Sequence, residues 1–513
     1  MIFVLPISAL ISALFLILAF PKFDLFFLSP IAFAPFWCAL LKRRERSFRD
    51  EWKGEALAAF LLGFVWYVGC IWWIGYVTCA GMLALCAFIA FLFALFTLGA
   101  MFLVRKGFSM ALALALGYLF FEMTVSYLFT GFPWLALGYA LYDRPVLIQI
   151  ADILGPHFLS FALAFISGAI AELVISGRKT RYVPIAVSAL LWLFIAGYGF
   201  FRICALDREE PQKTFRASMI QLNIPPDLKH DPARDEQTLE DYLAATKEAS
   251  QRADLILWPE TGVPGIYNDY ANTAVNKLRA FRQEVKTPLL CGLTWAEKND
   301  QGKIEFFNAA ALLDNAPMMP RERYYKKHLV IFGEYVPLAR FLPFLKLLTP
   351  IASSYSPGTR SHVLNFRKDK ELIKLGALVC FEDVFPSLAR EAAEEGAELL
   401  VNITNDGWFF NSPGPYQHAA LARFRAVENR RELLRSSNTG VTALVDRLGR
   451  EKGRFAIDGK SVMVGGTFDC EAAVFPQRKT FYTSWGDKGV VILGILALLV
   501  FAIPPLRQGD MVK

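Results

Sequence analysis

Apolar residues fall along this chain in two regimes. In residues 2–20, 25–41, 55–75, 83–104, 109–131, 156–176 and 182–201 they form long, nearly uninterrupted runs, and an eighth run occupies 489–505. Each approaches the ~20 residues that an α-helix needs to cross a bilayer. Between the seventh and eighth runs, over roughly 205–485, short apolar stretches of strand length alternate with charged segments of helical spacing. The pattern predicts a seven-span transmembrane region (1–204), an α/β domain (205–485), and an eighth transmembrane helix with a tail (486–513). The fold class expected is an eight-span α-helical bundle carrying an α/β domain.

Within the polar segment, Phe215–Asn223, Ala253–Trp258, Pro288–Trp295, Asn308–Asp314, Leu375–Val379, Glu398–Thr404 and Gly440–Val445 read as strands. Asp235–Arg252, the stretch opening at Pro386 and Gln417–Arg435 read as helices, and Asn405–Phe410 as a turn. Strand, helix and strand around Pro386 make a βαβ unit, with Cys380 where the first strand ends. Reacting groups collect at that edge of an open α/β sheet.

Composition agrees with a membrane protein: of 513 residues, 55% are hydrophobic and 20% charged. Basic residues set an orientation. Lys42, Arg43, Arg44, Arg46, Arg49, Lys53, Arg105, Lys106, Arg178, Lys179, Arg181, Arg507 and Lys513 fall on one side of the alternating spans, Lys22 and Arg144 on the other. The basic side is expected to be cytoplasmic, with both termini inside and the polar domain outside. The first run lacks a basic flank and reads as a retained span rather than a cleaved signal. The net charge of +7 is largely accounted for by these loops, and no basic stripe interleaved with aromatics implies nucleic acid. The eight cysteines show neither disulfide nor zinc spacing.

Three groups sit just past an apolar strand or in a Gly/Pro-rich loop: Glu260, Lys326 and Cys380. A thiol nucleophile needs a base, and acyl chemistry needs a donor for the oxyanion. Singly, each has another reading: an N-cap, a surface charge, a core cysteine. His328 and His418 leave a papain-like thiol–imidazole arrangement open.

Trp258-Pro-Glu260-Thr, Tyr325-Lys326-Lys-His-Leu-Val-Ile-Phe-Gly-Glu334-Tyr-Val-Pro and Val379-Cys380-Phe-Glu382 resemble, in order, the three catalytic motifs of the nitrilase superfamily. With the domain set between a seventh and an eighth span, the whole chain resembles the apolipoprotein N-acyltransferase family. The resemblance implies an α/β/β/α sandwich, Glu260 as general base, Lys326 as oxyanion stabiliser and Cys380 as nucleophile. It places Glu334, Phe381, Glu382 and Trp408 around them as supporting residues. Ile331 stands where the family's loop has proline, and His230 where tryptophan is expected.

The activity implied is a ping-pong transfer without metal or cofactor. An acyl chain would pass from a membrane phospholipid, phosphatidylethanolamine in the first instance, through a thioester on Cys380. It would end on the N-terminal amine of a diacylglyceryl apolipoprotein, in the inner membrane, with the enzyme a monomer. A membrane-tethered amidase is the alternative. Loop residues Phe332, Phe341, Phe344, Leu345 and Leu348 read either as a lid dipping into lipid or as packing. Glu122 and Glu172, near or within spans, read as functional or as structural polar groups. Trp66, Trp72 and Trp73 read as interface or packing residues. Arg423, Arg425, Arg430, Arg431 and Arg435 are expected on one long helix as a solvated or salt-bridged face.

Overall fold

The computed structural model describes residues 4–177, 181–225, 234–314, 320, 322–336 and 354–502. His230, Phe341, Phe344, Leu345, Leu348, Arg178, Lys179, Arg507 and Lys513 lie outside these residues. The chain divides into two compact units: Met1–Gly75, Cys79–Ala205 and Trp485–Lys513 form one, and Tyr76–Thr78 with Leu206–Ser484 form the other.

In the first unit, five described helices are long and apolar enough to cross a membrane: Phe48–Tyr76, Cys79–Arg105, Met110–Tyr127, Ala151–Ile175 and Tyr182–Leu206. The expected eight is not reached on that criterion, because Val4–Ala19, Phe26–Leu41 and Lys488–Leu499 are shorter. Proline accounts for one of them: the 25–41 run bends through a 3₁₀ turn containing Pro30 before its α-helix starts at Ala34–Pro35. The acids in this unit have partners. Glu122 accepts the Leu137 N–H at 2.6 Å and meets His157 Nδ1 at 2.9 Å, and Glu172 accepts the Ala111 N–H at 3.2 Å. Each carboxylate ties together segments distant in sequence, as a structural polar group in a span would. Trp66 and Trp73 are buried, whereas Trp72 is exposed.

The second unit is a two-sheet sandwich. The first sheet contains β1 (Lys213–Gln221), β2 (Leu255–Leu257), β3 (Leu289–Lys298), β4 (Ile304–Leu313) and β5 (Glu322–Tyr325). The second contains β6 (Val363–Lys368), β7 (Glu371–Val379), β8 (Leu399–Thr404), β9 (Leu433–Ser437), β10 (Ala443–Val445) and β11 (Glu451–Arg454), and β12 (Gly466–Val474) returns to the first. Their orders are β12-β1-β2-β3-β4-β5 and β11-β10-β9-β8-β7-β6. Each sheet has a parallel centre, β1–β2–β3 and β7–β8–β9, with antiparallel edges. Alternate residues such as Met219, Leu257, Leu375, Ala377 and Val401 point between the sheets and share one core. Helices Asp235–Ala249 and Thr273–Glu284 cover the outer face of the first sheet through Leu239, Tyr242, Val275 and Leu278. Helix Pro386–Glu394 lies against β7, with Ala392 close over Gly376.

The predicted helix Gln417–Arg435 is two elements. Its helix is Gly414–Asn429; Arg430 then takes a left-handed conformation (φ 53°), and Leu433–Ser437 is β9. The arginine set is accordingly neither on one helix nor solvated: Arg423, Arg425, Arg430, Arg431 and Arg435 are all buried.

Candidate active site

Glu260 and Lys326 leave the first sheet at the same edge. β4 runs antiparallel to β3 and β5 antiparallel to β4, so β5 recovers the direction of β3 and of β2. Cys380 leaves the second sheet at the end of β7, opening the 3₁₀ turn Cys380–Val384. It holds φ at 52°, a left-handed conformation that costs a non-glycine residue about 1–2 kcal/mol. The surrounding structure imposes it: Asn402 Nδ2 donates to the Cys380 carbonyl at 3.0 Å, and Glu382 accepts the Val379 N–H at 2.8 Å. A strained turn of this kind marks a candidate functional position.

Lys326 is buried between two carboxylates, its Nζ 2.9 Å from Glu334 Oε2 and 3.4 Å from Glu260 Oε1. Asn308, in the middle of β4, donates through Nδ2 to Glu260 and to Glu334, both at 2.8 Å. The Val330 N–H, at 2.9 Å, holds the other oxygen of Glu334. Burial alone would push the lysine down, but Glu334 and Glu260 hold it well above its usual value, so it stays charged. The Cys380 thiol is pushed up by burial and by Glu260, while Lys326 partly offsets them. At neutral pH the resting sulfur is therefore a thiol, and attack requires a base.

Glu382 is fully buried and braces the site. It accepts from Tyr324 Oη (2.7 Å), Lys327 N (2.7 Å), His328 N (3.0 Å) and Val379 N. One carboxylate thus ties the segment carrying Lys326 to the turn carrying Cys380. Burial raises its pKa, and His362 together with the Val379 and His328 N–H groups and Lys326 only partly opposes that. Phe381 packs its ring on Phe385 (5.1 Å between centroids) and near His328. Trp408 sits on the turn Asp406–Phe409 after β8 with its side chain partly exposed.

The thiol–imidazole alternative finds no support. Burial and Lys326 push His328 down to about 4, and both ring nitrogens of His418 face aspartates, Asp383 at 2.7 Å and Asp406 at 2.8 Å. Asn308 was missed as a site residue, although a lone amide in the apolar strand Asn308-Ala-Ala-Ala was a visible signal. Tyr324, Asp383 and Asp406 carry no mark in the sequence, and Arg435 reads there only as part of an arginine face, because their partners lie far off in sequence.

Gly292 on β3 allows the Glu260 turn to approach. A Cβ there would lie 2.5 Å from both Glu260 Cα and Thr261 N, inside contact distance of backbone that cannot swing away. Gly292→Ala is expected to displace Glu260 and lower activity by at least tenfold, with a loss of about 1–3 kcal/mol in stability. Turnover and a denaturant melt of the variant check both.

Residues 216–469, within the two-sheet sandwich, match the Carbon-nitrogen hydrolase family. Residues 12–169 match the Apolipoprotein N-acyltransferase N-terminal domain. The chain is 33% identical over 493 residues to the Apolipoprotein N-acyltransferase of Geobacter metallireducens, covering 94% of this chain and 91% of that protein. It is 29% identical over 531 residues to that of Chlorobaculum tepidum, covering 96% and 95%. Among solved structures, Saccharomyces cerevisiae Nit3, a member of the nitrilase superfamily, aligns at 19% identity and a TM-score of 0.37, over 58% of this chain and 97% of its own. The chain belongs to the apolipoprotein N-acyltransferase family: a membrane-bound acyltransferase whose substrates are lipoproteins.

Proposed function

We propose that Cys380 carries an acyl chain from a phospholipid to the N-terminal amine of a diacylglyceryl lipoprotein, with Glu260 as base and Lys326 as oxyanion donor. The observation that carries this is the buried Glu260–Lys326–Glu334 group bridged by Asn308, together with the strained turn at Cys380.

The sulfur attacks the ester carbonyl as Glu260 takes the thiol proton, and the ammonium of Lys326 meets the oxyanion. The two glutamates divide the work. When Glu260 becomes neutral on taking the proton, Glu334 still faces Lys326 at 2.9 Å and keeps it charged. The proton moves within the site, so the net charge of this low-dielectric pocket does not change. Collapse of the tetrahedral intermediate breaks the carbon–oxygen bond. Glu260 returns its proton to the leaving alkoxide, and a lysophospholipid departs. In the second half, the lipoprotein's amine attacks the thioester carbonyl and Glu260 accepts a proton from that amine; collapse breaks the carbon–sulfur bond, Glu260 passes the proton to the departing sulfur, and the amide and the free thiol result. Phosphatidylethanolamine is the proposed donor.

In this reading the second unit lies on the periplasmic side of a bacterial inner membrane, with both termini cytoplasmic and the enzyme a monomer. The orientation rests on the basic loops, among them Lys42, Arg43, Arg44, Arg46, Arg105 and Lys106. Eight crossings follow if Val4–Ala19, Phe26–Leu41 and Lys488–Leu499 span together with the five longer helices. A helix of 16 residues such as Val4–Ala19 reaches about 24 Å, and local thinning of the bilayer covers the remainder.

The test mixes purified protein with phosphatidylethanolamine and a synthetic diacylglyceryl-cysteine peptide. A gain of one acyl chain on the peptide amine supports the proposal. Release of free fatty acid with the peptide unchanged would make the protein a hydrolase instead.

A further inference from the structure

Behind the nucleophile turn lies a second ionic group that the proposed chemistry does not use. Asp383, Asp406, His418 and Arg435 are each no more than 1% exposed. They come from four places in the second sheet's half of the domain: the turn after β7, the turn after β8, the helix Gly414–Asn429, and β9. His418 spans the two aspartates, with Nε2 2.7 Å from Asp383 Oδ1 and Nδ1 2.8 Å from Asp406 Oδ1. Arg435 does the same from the other side, with Nε 3.5 Å from Asp383 Oδ2 and Nη2 3.1 Å from Asp406 Oδ2. Thr404 Oγ1 also donates to Asp406, and Arg435 Nη1 donates to the Val441 carbonyl. Gly440 makes room, since a Cβ there would fall 2.0 Å from Asp406 Oδ2.

Burial alone would push His418 down, but the two aspartates reverse this and lift it to about 9. Arg435 and His418 in turn hold Asp406 well below the usual carboxylate range against its burial. The quartet is thus two anions and two cations, neutral as a whole. Burying four ionised groups costs several kcal/mol for each ion, and a well-packed apolar cluster would stabilise the fold at least as well. What an apolar cluster cannot do is set a potential. The quartet adjoins the thiol: Asp383 is three residues from Cys380 on the same turn, and Asp406 and Arg435 both act on Cys380 electrostatically. The other groups facing the sulfur are Glu260, Lys326 and the Thr404 hydroxyl. His418 itself is faced by Asp383, Asp406 and Arg435, with the Phe409 ring edge-on at 6.2 Å.

We propose that His418 and Asp383 are positioning residues that balance the charge of Asp406 and Arg435 behind Cys380, so that the reactivity of the thiol follows the net charge of this quartet. The proposal rests on Cys380 being the nucleophile. Removing the histidine's charge leaves the quartet at −1 and disfavours the thiolate; removing an aspartate's charge leaves it at +1 and favours it.

The test uses the full chain in detergent, with no lipid substrate. Iodoacetamide alkylation of Cys380 is followed by peptide mass spectrometry at a fixed pH of about 7.5, where His418 carries its charge, for the wild type, His418→Gln, Asp383→Asn and the double variant. Cys380 is intermediate in exposure, and the wild-type rate is the reference for reagent access. Expected are slower alkylation for His418→Gln and faster alkylation for Asp383→Asn. Each change should be roughly tenfold in rate. The double variant, neutral again, returns close to the wild type. Unchanged rates in folded single variants would overturn the proposal. So would changes in the same direction for both, as a merely loosened turn would give. Should His418→Gln fail to fold, the isosteric Asp383→Asn decides alone: faster alkylation supports the proposal and an unchanged or slower rate overturns it. Because alkylation requires no acyl donor, its outcome is independent of whether the phospholipid reading holds.

Discussion

Lys326→Met is expected to abolish measurable acyl transfer and to destabilise the protein at the same time. The ammonium is the sole cation placed between Glu260 and Glu334 among the described residues, at 3.4 and 2.9 Å. Methionine fills nearly the same volume, so packing changes little, but two buried carboxylates are left facing each other across Asn308. Breaking a buried pair in this way costs about 3–5 kcal/mol, and loss of an oxyanion donor alone costs about 10²–10³ in rate. A thermal melt beside the transfer assay reads both effects. Transfer within tenfold of the wild type would remove Lys326 from the mechanism.

Substituting Cys380 with alanine or glycine should eliminate turnover in both cases yet give different stabilities. Position 380 holds φ at 52°, where alanine keeps its Cβ penalty and glycine has none. Cys380→Gly is therefore expected to be more stable than Cys380→Ala by about 1 kcal/mol. That ordering is the reverse of what an ordinary helix or strand position gives, and denaturant midpoints for the pair measure it. Equal stabilities, or alanine the more stable, would mean that the turn is not strained by its side chain.

A smaller effect concerns pH. The His418 pKa is raised in the folded state to about 9 from an ordinary value near ~6.5. Its stabilising contribution is thus fully present below the lower value and disappears as pH rises through the higher one. Denaturant midpoints taken between pH 7 and pH 10 should fall, and should fall less in His418→Gln.

Much of the site was visible in the sequence because its parts stand at strand ends. The apolar run into Cys380 and the Trp258-Pro step before Glu260 each mark where a buried strand stops, which places the reacting groups at a sheet edge. The α/β character of the domain was legible in its alternation of strands and helices, and the two-sheet sandwich only through the resemblance carried by the three motifs. What the sequence hid depends on pairing between distant residues. Arg423, Arg425 and Arg435 look like a solvated helix face until Glu451, Glu428, Asp383 and Asp406 are brought to them. Arg430 ends the helix in a left-handed turn that its residue type does not advertise, so β9 was absorbed into the helix. Asn308 reads as an interruption in an alanine strand until both glutamates converge on its amide. In the membrane unit, hydropathy found the apolar runs but not that proline bends the 25–41 run, which accounts for one of the three runs outside the five long helices.

The most direct test of the mechanism is the mass of the intact protein after exposure to phospholipid alone. A stable adduct of one acyl chain is predicted, mapped to Cys380, with an equimolar amount of lysophospholipid released, and loss of that adduct when the diacylglyceryl peptide is added. An unmodified Cys380 under conditions where the peptide is nevertheless acylated would contradict a thioester route and, with it, the roles of Glu260 as base and Lys326 as oxyanion donor.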